Sequence, residues 1–467
     1  MHKKIIEIIK LVFSKSSGEN SSAEKSKDRY RRAGRTAITD MASRIVNIAT
    51  ALITVPVTLS YLGTDRYGLW MALTSFITFL NFTDMGFGIG IQNSLANCFG
   101  RDDKQSARYY ISSGLFVMFL LFFVFVVVAF FLLPFIDFNK IVTVQSETAA
   151  SELLPTVQAM FIAFGLGLPA GMIQRIYNAY QQGYWGNMQL TAGNILGLIS
   201  IFVCIHFKLG LPAIAFVFMS ARFIVMLGGS VVLFIKRPWL RPSLFAVRWD
   251  FTKQIFNIGL TAMWAELAAI LIVSGPFLVI AHQISTAAVT PFSVTQRLVG
   301  VVTMLLTVVV IPLWPAYSEA ATRGDWNWVN RTFKHTIKFY VVILLPAFLF
   351  LTLLGQWVIR LWTGKLEAVP DWSLLMACNV WMLFRGWNTI CCVLLNGLNQ
   401  MIGQAIYGMF FGIVGLTAGY FVAANQVVSS TIWIVIIVGE ILRCTCLSIE
   451  VGWLLKKQKS YKVCVAQ

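Results

Sequence analysis

Charged side chains inside long apolar stretches are the residues of this sequence best placed to do chemistry. The cations among them are six arginines and no lysine: Arg44, Arg175, Arg222, Arg297, Arg385 and Arg443. A guanidinium stays charged when buried, and its planar fork of N–H donors matches the oxygens of a phosphate or diphosphate. A cavity lined by such groups would attract an anionic headgroup. The candidates for this lining are Arg44, Arg222, Arg297 and Arg385, whereas Arg175 lies nearer a membrane surface that its side chain could reach.

The carboxylates in these stretches also require an explanation, because an ion in hydrocarbon is costly and usually faces a partner, a cavity or a water path. Asp40 lies four residues before Arg44. Glu440 lies three residues before Arg443. Each pair can meet on one helix face without any ligand. Simple pairing and a role in binding therefore both stay open.

Asp84 and Glu266 have no basic residue at helical spacing. Asp84 opens the glycine-rich string DMGFG, which permits a local kink with the acid bonded to a neighbour. The alternative is a group that lines a cavity or forms a proton-linked gate. Glu266 and Arg297 are predicted at similar depth on consecutive helices. One hypothesis is that they pair in one conformation and separate in another.

The elements that carry these residues must be membrane-spanning helices. Of the 467 residues, 57% are hydrophobic and only 12% charged, with a mean hydropathy of +0.73, whereas soluble domains are about 25% charged. Crossing a ~30 Å core takes about 20 residues. On this criterion we predict an all-α, polytopic protein with twelve spans: 38–61, 67–97, 110–136, 153–178, 187–207, 212–235, 255–281, 290–318, 336–355, 372–398, 403–424 and 430–455.

The location of the basic residues decides what the net charge of +17 means. Ten lie in the N-terminal tail and sixteen in alternate connections, against five in the remaining connections. This asymmetry is the positive-inside pattern, so we expect a multi-pass inner-membrane protein with both termini cytoplasmic, and no nucleic-acid partner.

The basic stretch between Lys236 and Lys253 divides the chain nearly in half and predicts a linker between two parallel repeats. The expected domains are a cytoplasmic tail (1–37), a six-helix lobe (38–235), a cytoplasmic linker (236–254), a second six-helix lobe (255–455) and a cytoplasmic tail (456–467).

The segment Tyr61–Lys104 resembles the second helix of a known family. It reads YLGTDRYGLW, then an apolar run, DMGFG and a charged GRDD turn; a second stretch, AVTPFSVTQRL, begins at Ala288. These strings resemble the Wzx-type O-antigen flippases of the multidrug/oligosaccharidyl-lipid/polysaccharide (MOP) exporter superfamily. The resemblance covers residues from about Arg35 to Lys457. It implies two six-helix bundles arranged as MATE-like, V-shaped lobes.

The resemblance also implies a function and a site. The expected substrate is an undecaprenyl-diphosphate-linked O-antigen or capsule repeat unit, moved from the cytoplasmic to the periplasmic leaflet with H+ or Na+ coupling. Expected partners are membrane lipid, a polysaccharide polymerase and a chain-length regulator. The implied cavity-lining residues are Arg44, Asp84, Glu266 and Arg297, of which only Asp84 lies in a motif matched residue by residue.

Other function classes fit the sequence less well. We find no catalytic grouping, no GxxxxGK[ST] phosphate loop, no metal-ligand spacing and no sign of a cofactor, so we expect neither an enzyme nor an ATPase. A multidrug exporter would use carboxylates to hold cations, and a lipid II flippase usually has two further helices. An integral-membrane polymerase or glycosyltransferase would need a larger outer loop than residues 137–152 provide.

Overall fold

The structure, a computed structural model, describes residues 22–80, 82–322, 324–398, 400 and 402–465, without the side chains of a few helical stretches. Most of the predicted N-terminal tail, residues 1–37, therefore lies outside the described residues or lacks a described side chain. The same holds for most of the predicted tail 456–467 and for the side chains of Asp84 and Glu266.

The described chain is helical almost throughout. A bilayer core offers no water to backbone N–H and C=O groups, so a spanning segment satisfies them within its own helix. The helices are α1 Ser22–Leu80, α2 Phe82–Arg101, α3 Lys104–Val127, α4 Glu147–Ala179, α5 Gly183–His206, α6 Leu211–Lys236, α7 Trp249–Gln283, α8 Thr286–Val310, α9 Leu313–Thr322, α10 Trp326–Thr363, α11 Trp372–Gly397, α12 Ile402–Ala423, α13 Val428–Ile434 and α14 Leu442–Val465. Two helices continue in other forms. A π-helix (Val128–Leu132) and a 3-10 turn (Leu133–Phe135) extend α3, and a second π-helix, Val435–Ile441, joins α13 to α14.

Ten segments of the described chain are long and apolar enough to cross a membrane. The prediction of an all-α membrane protein is confirmed, and each predicted span overlaps a helix, but the number twelve stays a prediction. The first of the ten segments, Ile38–Leu80, has 43 residues. A straight helix of that length would measure about 65 Å, twice the ~30 Å core. Gly63 interrupts it with φ 77° and ψ 176°, in the interval predicted between the first two spans.

The predicted span 290–318 is wrong as one continuous helix. The structure ends α8 at Val310 and begins α9 at Leu313. Pro312 lies in the break, where its missing N–H and its ring prevent the helix from continuing. By contrast, α7 runs through Pro276 without interruption.

The chain forms two compact units, neither continuous in sequence. The first comprises the described parts of 1–54, 81–136 and 154–263. Within it, α5 and α6 pack closely, since a Cβ at Gly193 would lie 2.6 Å from the Cα of Arg222. Small residues allow such approach where packing, not the hydrophobic effect, joins helices.

The second unit comprises the described parts of 55–80, 137–153 and 264–467. Its helix α11 packs against α8, α10, α13 and α14, and its Trp381 is buried. The predicted lobe boundaries at 235 and 255 stay a prediction. The seven cysteines that the structure describes are free thiols.

Candidate functional site

The structure places the predicted arginines on four helices. Arg44 lies on α1, Arg222 on α6, Arg297 on α8 and Arg385 on α11. The first two belong to the first unit and the last two to the second.

Arg44 pairs with its helical neighbour. Its Nε donates to Oδ2 of Asp40 at 2.8 Å, and the two side chains stay 35% and 47% exposed. A half-exposed pair of this kind contributes about 0.5 kcal/mol. The pairing that helical spacing allows is thus present, and a pair this weak does not exclude that Arg44 also binds another anion.

Arg222 has no carboxylate within 4 Å among the residues that the structure describes. Its guanidinium carbon lies 5.0 Å from the ring centroid of Phe223, and its side chain is exposed on α6. Gly193 on α5 leaves room for the backbone and stem of this arginine. Arg222 is therefore an exposed cation in the middle of an apolar helix.

Arg175 fills space beside the glycine-rich string. A Cβ at Gly88 would lie 2.9 Å from Nε of Arg175, so a larger residue there would require the arginine side chain to shift. The structure thus packs Arg175 against α2 in the first unit.

Arg297 donates from Nη2 to the sulfur of Met71 at 3.3 Å, and its side chain is half-buried. A thioether is a weak acceptor. No carboxylate lies within 4 Å of Arg297 in the described part of the chain. The predicted exchange with Glu266 stays a hypothesis, since that side chain lies outside the described residues.

Arg385 belongs to a buried cluster around Glu440. Trp381 Nε1 donates to Oε1 of Glu440 at 3.1 Å, and Asn388 Nδ2 donates to Oε2 at 2.6 Å. Arg443 Nη1 lies 3.7 Å from the same Oε2, so the pairing of Glu440 with Arg443 that helical spacing allows is present. Arg385 lies over the Trp381 ring, 5.9 Å from its centroid.

The cluster combines one carboxylate with two guanidiniums. Glu440 is 1% exposed, so its charge depends wholly on these donors. Sequence spacing indicated only Arg443, because Trp381 and Asn388 are more than fifty residues away along the chain. Glu440 is a structural acid that already has its partners.

A second network joins the turn after Gly63 to two other segments of the second unit. Asp65 accepts hydrogen bonds at Oδ2 from the backbone N–H of Ser146 at 2.8 Å and from its hydroxyl at 2.6 Å. At Oδ1 it accepts a short hydrogen bond from the Thr286 hydroxyl. One carboxylate thus connects the end of the first span, the 137–146 segment and the start of α8.

Arg66 reinforces this connection. Its Nε and Nη2 donate to the two carboxylate oxygens of Glu152, both at 2.7 Å, and both side chains are 20% exposed. This is the bidentate geometry that gives an arginine–carboxylate pair directional strength. The backbone C=O of Thr64 also accepts a hydrogen bond from the Thr290 hydroxyl at 2.6 Å.

Two backbone hydrogen bonds join the same segments. Thr143 N–H donates to Ala281 C=O, and Thr286 N–H donates to Thr143 C=O, both at 2.9 Å. A Cβ at Gly68 would overlap the carbonyl oxygen of Thr286, so the helix after Gly63 lies directly against α8. We call Asp65, Arg66, Ser146, Glu152 and Thr286 the Asp65 latch. Its one sequence signal was the polar GTDR turn inside an apolar region.

Comparisons with known proteins agree with the helical architecture. The model of a family described as "Polysaccharide biosynthesis protein" matches residues 34–321. A Salmonella typhi protein named as an O-antigen transporter is 19% identical over 82% of this chain and 91% of its own length.

Two solved structures share the fold. An inward-facing multidrug resistance MATE transporter of the MOP superfamily superimposes with a TM-score of 0.73, at 17% identity, over 91% of this chain and 99% of its own. The lipid II flippase MurJ in an inward closed conformation gives 0.68, at 14% identity, over 89% and 87%. These likenesses show that the chain has the fold of MOP transporters.

Proposed function

Since the chain belongs to the Polysaccharide biosynthesis protein family, whose model spans more than half of it, we propose that it is a flippase that moves a lipid-linked polysaccharide precursor across a membrane. Family membership is the observation that carries this proposal. The O-antigen transporter name of a relative that covers most of both chains supports it. So does an apolar interior that holds arginines.

The proposed substrate is an undecaprenyl-diphosphate-linked oligosaccharide repeat unit of an O-antigen or capsule. Arg222 of the first unit and Arg297 of the second have no carboxylate within 4 Å among the described residues, and each is a candidate donor of charge-assisted hydrogen bonds to the diphosphate. Arg44 and Arg385 add positive potential, and Asp84 and Glu266 serve as candidate polar lining or coupling groups. The polyprenyl chain stays in the bilayer, because hydrocarbon needs no protein cavity there.

The Asp65 latch closes the predicted periplasmic side in this proposal. Its hydrogen bonds and ion pair form when that side is shut and break when it opens. A transporter needs such reversible contacts. When the contact opens, polar side chains can form hydrogen bonds to the entering water, whereas apolar side chains cannot. Release of the substrate therefore requires that Asp65 and Arg66 exchange their protein partners for water.

Energy for the cycle comes from an H+ or Na+ gradient or from removal of the product on the far side. The proposed location is a bacterial inner membrane, with both termini in the cytoplasm. A polysaccharide polymerase and a chain-length regulator are the proposed downstream partners. The role of a transporter, not an enzyme, agrees with the names of the relatives.

The buried acid speaks against a multidrug exporter, the main alternative. A cationic drug needs a carboxylate that is free to receive it. Glu440 already accepts hydrogen bonds from Trp381 and Asn388 and pairs with Arg443. The described interior thus offers a cationic drug more guanidiniums than available carboxylates.

A clean deletion in the native host tests the function. We expect complete lipid-linked repeat units to accumulate on the cytoplasmic face while surface polysaccharide is lost, as measured by mass analysis of polyprenyl-linked intermediates. Incomplete units would assign the chain to assembly. Complete units stranded on the periplasmic face would assign it to polymerisation, and unchanged units with increased drug sensitivity would assign it to drug export.

A further inference from the structure

The connection between α6 and α7, residues 237–248, leaves large apolar side chains in the open. Phe245 is 98% exposed, Leu244 77% and the adjoining Trp249 76%. Single exposed apolar residues are ordinary on a protein surface, but three within six residues mark a surface that another apolar phase covers.

The exposure results from a fixed backbone. Ser243 N–H donates to the hydroxyl of Ser112 at 3.1 Å, and Arg248 N–H donates to that of Ser113 at 2.9 Å. The Ser113 hydroxyl in turn donates to the Arg248 C=O at 3.1 Å. These serines on α3 hold the connection at two points, and a 3-10 turn between them, Leu244–Ala246, buries Ala246 while it turns Phe245 outward.

Basic residues surround these apolar side chains. Eight lie at this end of the first unit: Arg101, Lys104, Arg108, Lys236, Arg237, Arg241, Arg248 and Lys253. Three acids accompany them: Asp102, Asp103 and Asp250. Seven of the eight basic side chains are exposed, so the surface has a strong positive field.

Aromatic rings hold several of these cations in place. Lys104 Nζ lies 5.5 Å from the ring centroid of Trp239, and the Arg248 guanidinium lies 5.6 Å from that of Tyr109. Arg241 uses its Nε–H for the C=O of Phe234 at 3.1 Å. Its terminal N–H groups stay available to a phosphate, because a guanidinium carries further donors.

Three acids against eight basic residues leave this surface with a net positive charge. Oδ1 of Asp102 lies 4.0 Å from Nζ of Lys104. Asp103 caps α3 by accepting a hydrogen bond from Ser106, which lowers the pKa of its carboxyl. Both charges are thus engaged at the start of α3.

The position of the connection identifies what it meets. Both α6, which ends at Lys236, and α3, which begins at Lys104, belong to apolar segments able to span a membrane. The connection follows the end of one such segment and is bonded to the first turns of the other, so it lies at the membrane surface, where aromatic and basic residues concentrate.

We propose that this connection is a binding site for anionic phospholipids. Arg241 and Arg248 bind the phosphate of the headgroup, while Phe245 and Trp249 insert between the acyl chains. The apolar side chains would insert into any bilayer, and the basic side chains favour one with anionic headgroups. Together they make the site selective for anionic phospholipids. The site is independent of the transported substrate.

The full-length Phe245→Cys variant in nanodiscs tests the proposal. Nanodiscs expose both membrane faces to a neutral, water-soluble maleimide, and the labelling rate of the unmodified chain is subtracted. We expect at least fivefold slower labelling in phosphatidylglycerol than in phosphatidylcholine, because one basic residue near an anionic surface changes binding by about fivefold. Adding Arg241→Gln and Arg248→Gln should remove most of this difference.

Phe135 provides a matched control, because it is 87% exposed at the opposite end of the segment that begins at Lys104. Phe135→Cys should label at the same rate in both lipids. Equal rates for Phe245→Cys in the two lipids would overturn the proposal. So would an equal slowing of Phe135→Cys, which would show a general effect of the lipid and no site.

Discussion

Arg222 and Arg297, unlike Arg44 and Arg443, have no carboxylate within 4 Å among the described residues. A guanidinium within a membrane-spanning helix is costly without an anion, which makes each of these arginines a candidate site for an anionic ligand. Arg44 and Arg443 are thus paired within the protein, whereas Arg222 and Arg297 are the arginines that we propose for the substrate.

Alanine at Arg222 or Arg297 should reduce export of the lipid-linked precursor by roughly tenfold or more, since a charge-assisted hydrogen bond contributes about 1.5–3 kcal/mol. Lysine should restore only part, because it lacks the planar fork. The measurement is surface polysaccharide in a deletion strain that carries each variant at equal protein level. Arg360→Ala, at an exposed position in the last turn of α10, is the control. Full export by both alanine variants would remove these residues from the site.

Glu440→Gln should lower stability and not transport specificity. It removes the only carboxylate within 4 Å of Arg443 in the described chain, and breaking a buried pair costs about 3–5 kcal/mol. Thermal unfolding of the purified protein in detergent should show a clear drop in midpoint. Glu147→Gln, an exposed acid in the first turn of α4, should leave it unchanged. An unaltered midpoint for Glu440→Gln would mean that the cluster is not structural.

Sequence alone predicted the short-range part of these clusters. The pairs Asp40–Arg44 and Glu440–Arg443 follow from helical spacing, which the backbone geometry fixes. The contacts of Glu440 with Trp381 and Asn388 do not, because they depend on how α11 rotates against the π-helix. Residue patterns in a single sequence do not determine this rotation.

At the scale of elements, the latch depends on one close approach. Gly68→Ala should prevent closure, because its Cβ would overlap the Thr286 carbonyl oxygen, although alanine favours a helix by about 1 kcal/mol. We expect export to fall strongly while folding, followed by detergent-extracted yield, stays near normal. Gly300→Ala on α8 is the matched control, since its Cβ would meet no heavy atom within 4 Å among the described residues. Normal export by Gly68→Ala would argue that this contact does not form in the cycle.

The ion pair of the latch allows a charge exchange. Arg66→Glu or Glu152→Arg alone should impair export, because each places like charges where the bidentate pair was. The double variant should recover much of it, since the pair can form in reverse. Export by complementation checks this. No recovery in the double variant, with both proteins at normal level, would show that the pair is not the reason for the single defects.

Helix positions were predictable from apolar length, and helix interruptions only in part. The break between α8 and α9 falls at Pro312, a visible signal that the predicted span 290–318 overran. The latch was not predictable, because Ser146 and Thr286 lie 81 and 221 residues after Asp65 along the chain. Hydrophobicity locates helices in a membrane but says little about which polar ends meet.

At the scale of the whole molecule, the charge asymmetry predicts the orientation in the membrane. Residues near Phe245 and near Asp137 should therefore react from opposite sides of the membrane. A cysteine at an exposed position, Leu244→Cys or Phe135→Cys, labelled by an impermeant reagent in intact cells, checks this. We expect labelling at 135 and none at 244 until the inner membrane is made permeable. The reverse pattern would invert the proposed direction of transport.

The π-helix Val435–Ile441 adds a constraint on length that side-chain identities do not express. A π-turn accommodates one residue more than an α-turn, so α13 and α14 are out of phase by one position. Deleting a single residue from this segment would let an unbroken α-helix form and rotate Glu440 by ~100° relative to the helix before it. Insertions and deletions here should therefore impair the protein far more than substitutions do.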